Sequence, residues 1–222
     1  PDADLARRGL AGARNIISID TFMTPSTSQA DVVLPAAAYA ERGGTTTNLE
    51  GRVLPLSQKI TARGTSRPDW MIATELAEQL GANIGVESID DLTATDAPAE
   101  VLQGLSVVGS SAPERNSYDL RLVVSRKMYD NAVSTVTSPS LAHLSIGAGI
   151  YLNSRDIERI GAPVGKDVKV STSSKSVILT LHADDSVLKG TAWVPFNQPG
   201  PDIRELMSAN DLIIDVRVEN LS

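Results

Sequence analysis

Few side chains in this 222-residue chain combine the types and spacing that catalysis requires. Ser140 and His143 lie three residues apart and could share one helix face, but a nucleophilic pair also needs a carboxylate to orient the imidazole. No acidic residue is placed for that role, so we expect His143 to be a surface or capping residue. The aspartate pairs at 90–91 and 184–185 offer too few oxygen ligands for a calcium loop. They predict solvated turns.

Composition excludes other kinds of site. The chain has no cysteine, which rules out disulfides and iron–sulfur ligation within it, and its two histidines are too few for a histidine-rich metal site. Gly147-Ala148-Gly149 precedes an apolar strand, whereas a dinucleotide-binding turn precedes a helix, so it predicts a plain loop. A net charge of −7 with scattered basic residues argues against a nucleic-acid surface. Without a long apolar run, no direct membrane insertion is expected.

The most distinctive stretch is the sequence from Ala30 to Arg52, ADVVLPAAAYAERGGTTTNLEGR. Its apolar start predicts a strand that ends at Pro35, because proline cannot donate to a sheet ladder. Gly43-Gly44 breaks any helix that follows, and Thr45–Thr47 favours extended chain. We therefore predict a strand that becomes a long ordered loop at the carboxyl edge of a sheet. Such a loop could line a cofactor cleft or bury its polar groups between two domains, and spacing alone favours the second interpretation.

The elements around that stretch predict part of a parallel sheet. A weak helical pattern covers residues 4–14, and residues 15–20 form an apolar strand. Thr24-Pro25 predicts a helix start, and a short turn of helix over residues 26–30 would connect the apolar strand to the strand at Val32. This order is the β-loop-α-β unit of an α/β domain.

A helix with a clear start comes next. Ser66 is its predicted cap, Asp69 complements the helix dipole, and Gly81 ends it. From residue 82 to 113 the pattern weakens and predicts a linker with a short helix near residues 99–105. We place the domain boundary there, which gives domains 1–112 and 113–222. The apolar stripe of the helix, which we expect in the core, consists of Ala73, Leu76, Ala77 and Leu80.

The second half has the period of two that is typical of strands with one buried face. Asn153-Ser154 predicts the start of a short helix that Gly161 ends. Many short strands with few short helices indicate a small closed barrel. The predicted strands are Leu120–Val124, Ile150–Leu152, Val168–Val170, Val177–Leu181, Thr191–Val194 and Leu212–Val218.

Both halves resemble the molybdopterin oxidoreductase superfamily. In the first half, Asp20-x-Phe22-x-Thr24 and Arg67-Pro68-Asp69-Trp70 fit the family's flanking sequences. In the second half, Tyr151–Val170 resembles the molybdopterin-dinucleotide-binding domain, with Lys166 inserted between Gly165 and Asp167. The resemblance implies an α/β fragment with a partial parallel sheet, followed by a double-psi β-barrel. The residues that match the family's strand and loop in the first half are Asp31–Pro35, Glu41, Gly44-Thr45 and Asn48–Arg52.

Within the superfamily, the sequence is more similar to the large peripheral-arm subunit of respiratory complex I, the NADH-quinone oxidoreductase. Metal-bearing formate dehydrogenases tend to have a Trp-His-Thr-Gly-Thr loop where this chain has Lys127–Thr137. A pterin pyrophosphate needs backbone donors and close approach, which Asp130 is expected to oppose by its charge. Met128–Leu144 and Phe196–Gly200 resemble the complex I branch.

That resemblance implies a scaffold with no catalytic residue, metal or cofactor of its own. The parent complex transfers electrons from NADH to quinone, and its iron–sulfur clusters are expected upstream in the parent chain. The implied partners are other peripheral-arm subunits and the N-terminal part of the same chain, at the cytoplasmic face of the cell membrane. Whether the chain counts as an enzyme stays open.

The alternative is the cofactor-binding C-terminal part of a molybdopterin oxidoreductase, such as a formate dehydrogenase-like subunit. Molybdopterin would then face the barrel. The pterin-facing candidates are Ser125, Tyr129, Asn131 and Asn197. We expect structural roles for the loop residues Glu41, Gly44, Asn48, Glu50 and Arg52, with Asn48 and Arg52 hydrogen-bonding across the domain interface.

Overall fold

The computed structural model describes residues 2–93, 114–208 and 213–221. The described residues form two compact units. One contains residues 13–93, and the other combines residues 2–12 with the described residues from 114 onward. The predicted helix near residues 99–105, the domain boundary after residue 112 and Leu212 lie outside the described residues.

Helix α1 (Ala3–Gly12) confirms the weak helical pattern at the start of the chain. Asp2 begins it by accepting a hydrogen bond from the backbone N–H of Leu5 (3.0 Å). No residue of the helix is buried. Arg7 pairs with Asp202 and Glu205 at 3.2 Å each, so ion pairs rather than apolar burial hold α1 in the barrel-containing unit.

The unit of residues 13–93 contains the predicted parallel sheet. Strand β1 (Ile17–Asp20) pairs in parallel with β2 (Val32–Pro35), with Ile17 opposite Val32 and Asp20 opposite Pro35. A 3₁₀ turn over Thr27–Gln29 lies between the strands. Because the strands are parallel, Asp20 and Pro35 end at the same edge of the sheet.

The stretch after Pro35 is more regular than the predicted long loop. A 3₁₀ turn over Tyr39–Glu41 leads into a hairpin of β3 (Gly44–Thr47) and β4 (Val53–Leu56). The extended threonines are thus confirmed, but as a strand with its own partner. No sequence signal marks this pairing, because Pro55 sits in β4 and proline argues against a strand.

Helix α2 (Asp69–Gln79) begins at a different cap from the one predicted. Pro68 is the N-cap residue, while the Ser66 hydroxyl donates to the Arg63 carbonyl oxygen (2.7 Å) instead of capping the helix. Gly81 ends the helix as predicted, with a φ of +75°. Helix α3 (Asp90–Thr93) follows, and Asp91 accepts from the backbone N–H of Ser88 (2.7 Å). The predicted turn at 90–91 is therefore the start of this short helix.

The prediction that the apolar stripe of α2 lies in the core is wrong. Ile72, which lies outside the predicted stripe, is the buried residue of the helix. Ala73 and Leu76 are exposed, and Leu80 is 84% exposed. A two-stranded sheet has too little surface to cover a whole helix face, so the apolar period of α2 does not correspond to burial among the described residues.

The described residues of the other unit form a closed six-stranded barrel, as predicted. Its elements are β5 (Leu120–Arg126), α4 (Val133–Val136), β6 (Gly149–Leu152), α5 (Ser154–Ile160), β7 (Asp167–Ser171), β8 (Ser176–Ala183), β9 (Thr191–Phe196) and β10 (Asp215–Asn220). The strand order around the barrel is β10-β5-β9-β6-β8-β7, and β10 pairs with β7 to complete the circle. The pairs β5–β9 and β6–β8 are parallel, and the other pairs are antiparallel.

The alternating apolar residues of these strands fill the barrel interior. Helix α5 has the predicted cap, since the Asn153 side chain accepts from the Arg155 backbone N–H (3.1 Å), and Gly161 ends it with a φ of +73°. The buried carboxylate of Asp156 accepts from the Gly190 backbone N–H (2.6 Å), which fixes α5 to the turn before β9. The fully buried interior residues are Leu120, Ile150, Leu152, Val168, Val170, Leu181, Ala192 and Val194.

Gly149 marks a close approach on the outer face of the barrel. A Cβ atom at this position would lie 2.8 Å from Cδ2 of His182 and 3.3 Å from the carbonyl oxygen of Thr180. We expect Gly149→Ala to lower the free energy of unfolding by about 1–3 kcal/mol, because the imidazole and the strand must both shift. Urea denaturation checks this.

Two further variants test the cause. In a chain that already carries His182→Ala, the added Gly149→Ala substitution should cost much less stability. The free energy of unfolding of Gly149→Ala/His182→Ala should therefore lie close to that of His182→Ala alone. Gly9→Ala, where a Cβ meets no atom within 4 Å, should be neutral or stabilising. An equal loss in the presence and absence of the imidazole would show that His182 is not the obstacle.

Candidate functional site

The barrel brings two loops together because β5 and β9 are parallel neighbours. Arg126, the last residue of β5, lies opposite Phe196, the last residue of β9. The chain therefore leaves both strands at the same edge. A third loop, before β6, joins them there. We call residues 126–132, 145–148 and 197–200 the edge cluster.

Asp130 is the charged centre of the edge cluster, and it is only 3% exposed. Its Oδ2 accepts from Nη2 (2.7 Å) and Nε (3.0 Å) of Arg126, and its Oδ1 accepts from the Ala132 backbone N–H (2.9 Å). Burial acts to raise the pKa of Asp130. The hydrogen bonds and charge of Arg126, helped by Ala132 and Asn197, outweigh burial and hold that pKa below its usual value.

Gln198 ties the three loops together with one buried amide. Its Oε1 accepts from the backbone N–H groups of Ile146 (3.1 Å) and Gly147 (3.3 Å), and its Nε2 donates to the Tyr129 carbonyl oxygen (3.1 Å). The Asn131 backbone N–H donates to the Asn197 carbonyl oxygen (2.6 Å). The loops are therefore fixed by their own polar groups.

Three of the four predicted pterin-facing residues lie together in the edge cluster. These are Tyr129, Asn131 and Asn197, of which Asn131 is exposed and the other two are half-buried. Asn197 has a φ of +54°, a conformation that asparagine tolerates better than most residues. Ser125 lies apart from them, on the outer face of β5, where its hydroxyl accepts from Nε1 of Trp193 (2.7 Å).

Sequence reasoning missed the structural roles of Asp130 and Gln198, the two residues that organise this cluster. Asp130 was expected to repel a pyrophosphate, but its carboxylate is buried and paired, so it presents little charge to solvent. The four-residue spacing from Arg126 to Asp130 was the available signal. No signal marked Gln198, because its role depends on loops that are distant in sequence.

Aromatic side chains line the outer barrel face next to the edge cluster. Lys127 places Nζ 4.6 Å from the ring centroid of Trp193. Tyr151 lies between Trp193 and His182, with both centroid distances at 4.7 Å. Burial and, secondarily, the charge of Asp184 raise the pKa of Tyr151. These contacts cross neighbouring strands and stabilise the face.

The residues expected to have structural roles lie in the first unit and bond locally. Glu41 is buried, and its Oε2 accepts from the Ala38 backbone N–H (2.9 Å). The Asn48 Oδ1 accepts from the backbone N–H groups of Glu50 and Arg52, each at 2.9 Å. These bonds close the β3–β4 turn, and bonds of Asn48 and Arg52 across a domain interface stay a prediction. Exposed Arg52 pairs with exposed Glu50 at 3.3 Å.

A second polar network lies at the carboxyl end of β1. The buried Thr27 hydroxyl donates to Oδ2 of Asp20 (3.1 Å) and lies 2.8 Å from the Thr24 hydroxyl. Asp20 and Thr24 belong to the family's lead-in sequence, whereas Thr27 was missed. Hydroxyl and carboxylate groups at this edge of a parallel sheet are placed where ligands usually bind.

The other side chains considered for chemistry, those of His143 and residues 184–185, lie at the surface or in a turn. His143 is exposed in a short 3₁₀ turn, which confirms the expected surface position. Residues 184–185 lie in a turn, where the Asp184 carboxylate accepts from the Ser186 backbone N–H (2.9 Å). Within the described ranges, no group of three or more His, Cys, Asp or Glu residues could hold a metal ion. No helix in those ranges has the length and apolar character of a membrane span.

Family comparisons agree with the two-part architecture. Residues 1–79 match the family described as Molybdopterin oxidoreductase, and residues 120–222 match the one described as Molydopterin dinucleotide binding domain. The two parts of the chain are therefore each similar to one domain type of the molybdopterin oxidoreductases. The acetylene hydratase from Pelobacter acetylenicus superposes with a TM-score of 0.72 over 99% of this chain and 42% of its own, at 17% identity. That likeness shows the fold alone.

Two curated relatives that match most of this chain are oxidoreductase alpha subunits. The NADPH-Fe(3+) oxidoreductase subunit alpha of Geobacter sulfurreducens is 26% identical across 99% of this chain and 28% of its own length. The F420-dependent formate dehydrogenase 2 subunit alpha of Methanococcus maripaludis is 26% identical across 88% of this chain and 36% of its own. The chain thus spans about a third of each relative.

The edge cluster contains side chains of the types that bind phosphate groups. Lys127 is a cation whose Nζ lies over the Trp193 ring on the adjoining face, and Asn131 and Asn197 carry side-chain amides. The backbone N–H groups of Asn131, Ala132, Ile146, Gly147 and Ala148 already bond within the chain. A pterin dinucleotide would therefore be held mainly by side chains here.

The exposed turn of the hairpin yields a modest stability prediction. Asn48→Ala removes the acceptor for two backbone N–H groups, which water can then reach. We expect a loss of about 1 kcal/mol in the free energy of unfolding, measured by urea denaturation. Leu49→Ala, at the fully exposed neighbouring position, is the control and should have little effect. Faster hydrogen exchange confined to the hairpin would support the local role of Asn48, and a loss equal to that of the control would contradict it.

The lowered pKa of Asp130 predicts a pH-dependent contribution to stability. Its folded pKa lies below the ordinary value of 3.8, so the folded state favours the carboxylate. The contribution should be full above about pH 5 and decline as the pH falls through 4 and below. Denaturation of wild type and Asp130→Asn between pH 7 and pH 3 should give curves that converge at the acidic end. A constant difference would show that the charge of Asp130 does not stabilise the fold.

Proposed function

We propose that this chain is the C-terminal part of a larger molybdopterin oxidoreductase subunit of the formate dehydrogenase-like kind. In this role the barrel holds part of a pterin dinucleotide at the edge cluster. The curated relatives named as formate dehydrogenases and as an NADPH-Fe(3+) oxidoreductase support this interpretation over a complex I subunit. The whole subunit would be an enzyme, and this chain would supply one wall of its cofactor site.

One observation carries the proposal. The parallel pair β5–β9 places Lys127, Asn131 and Asn197 at one barrel edge, on loops that Gln198 holds rigid. A fixed cation with neighbouring amides suits the phosphate end of a dinucleotide. Tyr129 and Ser125 complete the predicted set, with Tyr129 in the cluster and Ser125 on the adjoining face.

The cofactor and the protein would make different contributions to the reaction. When bound, a molybdopterin cofactor supplies two-electron redox chemistry at its metal. The side chains of the edge cluster would orient the organic part of the cofactor and neutralise its charge. The network of Asp20, Thr24 and Thr27 at the end of β1 is a second place where hydroxyl donors face the carboxyl edge of a sheet.

A second candidate function is the complex I scaffold. The chain would then belong to the large peripheral-arm subunit of NADH-quinone oxidoreductase, and would contact other peripheral-arm subunits and the N-terminal part of its own chain. The specific observation in its favour is the internal bonding of the edge-cluster N–H groups. A pyrophosphate site usually leaves such groups open. Iron–sulfur clusters upstream and a place at the cytoplasmic face of the membrane belong to this candidate.

Metal and pterin analysis of the full-length native protein separates the candidates. Near-stoichiometric molybdenum or tungsten, with pterin fluorescence after acid oxidation, is expected for the oxidoreductase. Iron without molybdenum, tungsten or pterin would overturn it in favour of the scaffold.

Single substitutions test the assignment of residues. If the native protein contains pterin, Lys127→Ala and Asn131→Ala should each lower the pterin content per chain several-fold, because each removes a donor at the edge. Lys169→Ala, an exposed lysine on β7 outside the edge cluster, should leave the content unchanged. Unaltered pterin content in both edge variants would place the cofactor elsewhere on the protein.

A further inference from the structure

Asp130 is bonded in the way that a bound anion would be. Two nitrogens of one guanidinium donate to Oδ2, and a backbone N–H donates to Oδ1. Guanidinium and backbone N–H groups are the same donors that proteins use for phosphate oxygens. The carboxylate and a phosphate oxygen pair would therefore satisfy this set of donors in the same way.

We propose that Asp130 is a built-in anion, which fills an anion-binding site formed by the Arg126 guanidinium and the Ala132 backbone N–H. The ligand class of the site is an inorganic or organic phosphate. The loop itself supplies the occupant in the wild-type chain. The site rests on local geometry and does not depend on the proposed function.

Burial distinguishes this pair from the ordinary surface pairs of the chain. The Arg52–Glu50 pair is mostly exposed on both sides and contributes little. By contrast, the Asp130 side chain is 4% exposed, while that of Arg126 is 65% exposed. The donors thus point inward at a buried carboxylate, yet the guanidinium remains reachable from solvent. A soluble anion could reach it once the carboxylate is removed.

The simpler interpretation is that the pair only orders the loop. Both interpretations predict lower stability when Asp130 is lost, because Arg126 loses its ion pair and the Ala132 backbone N–H loses its acceptor. Only the built-in anion predicts that the variant gains affinity for phosphate. Gain of binding is therefore the decisive measurement.

The primary experiment is calorimetric titration of Asp130→Ala, in the full chain, with inorganic pyrophosphate at low ionic strength. We expect saturable one-site binding at least tenfold tighter than that of wild type. A rise in melting temperature with pyrophosphate should accompany it, larger than the rise for wild type. Asp184→Ala is the matched control, because it also removes one negative charge and a backbone acceptor but no arginine partner. It should bind as wild type does.

Two further variants define the site. Asp130→Ala/Arg126→Ala should lose the gained binding, and Asp130→Asn should gain little, because its amide still fills the space. If Asp130→Ala is unfolded in anion-free buffer, pyrophosphate must restore its folded circular dichroism spectrum. Binding no tighter than that of wild type, binding that survives loss of Arg126, or failure of pyrophosphate to restore an unfolded variant would each overturn the proposal. None of these results depends on the pterin content of the native protein.

Discussion

The parallel pairing of β5 with β9 is the constraint on which the candidate site depends. In an antiparallel pair, one strand would end where its neighbour begins, and the loops after Arg126 and Phe196 would leave at opposite edges. Parallel pairing places both loops at one edge. Closure of the barrel then fixes that edge, because neither strand has a free side along which its register could slip. The position of Asn131 beside Asn197 follows from this topology more than from any feature of the loops.

Loops without regular structure must find partners for their polar groups, and here two side chains supply them. Asp130 satisfies Arg126 and Ala132, and Gln198 satisfies three backbone groups from two other loops. Each lies almost wholly out of solvent, where an unmade hydrogen bond is costly. The same bonds that make the cluster rigid also occupy the backbone N–H groups of Ala132, Ile146 and Gly147. Rigidity and an open phosphate cradle therefore compete at this edge.

Much of the barrel was predictable, because each strand buries one face and so shows a period of two. Val168 and Val170 or Leu179 and Leu181 identify such strands without any knowledge of their neighbours. The predicted start of helix α5 at Asn153 and its predicted end at Gly161 were also correct. Interactions distant in sequence were not predictable: the hairpin partner of Thr45–Thr47, the bonds of Gln198 and the exposure of Leu80 all depend on what the fold brings near. The cap at Ser66 failed for a local reason, since its hydroxyl had a nearer acceptor in Arg63.

The two units differ in how completely they cover their own apolar residues. The barrel encloses a continuous core, whereas β1 and β2 expose Ile17, Ile19 and Val32 on one face of a two-stranded sheet. Parallel sheets are ordinarily covered on both faces and contain more strands than two. The relatives extend well beyond the matched region, with this chain spanning 28% of one and 36% of another. This supports the proposal that the sheet of the first unit is completed by other parts of a larger subunit. On that proposal the exposed apolar face of β1 and β2 is an internal surface of the parent protein, whereas the strands of the barrel already enclose their own apolar residues.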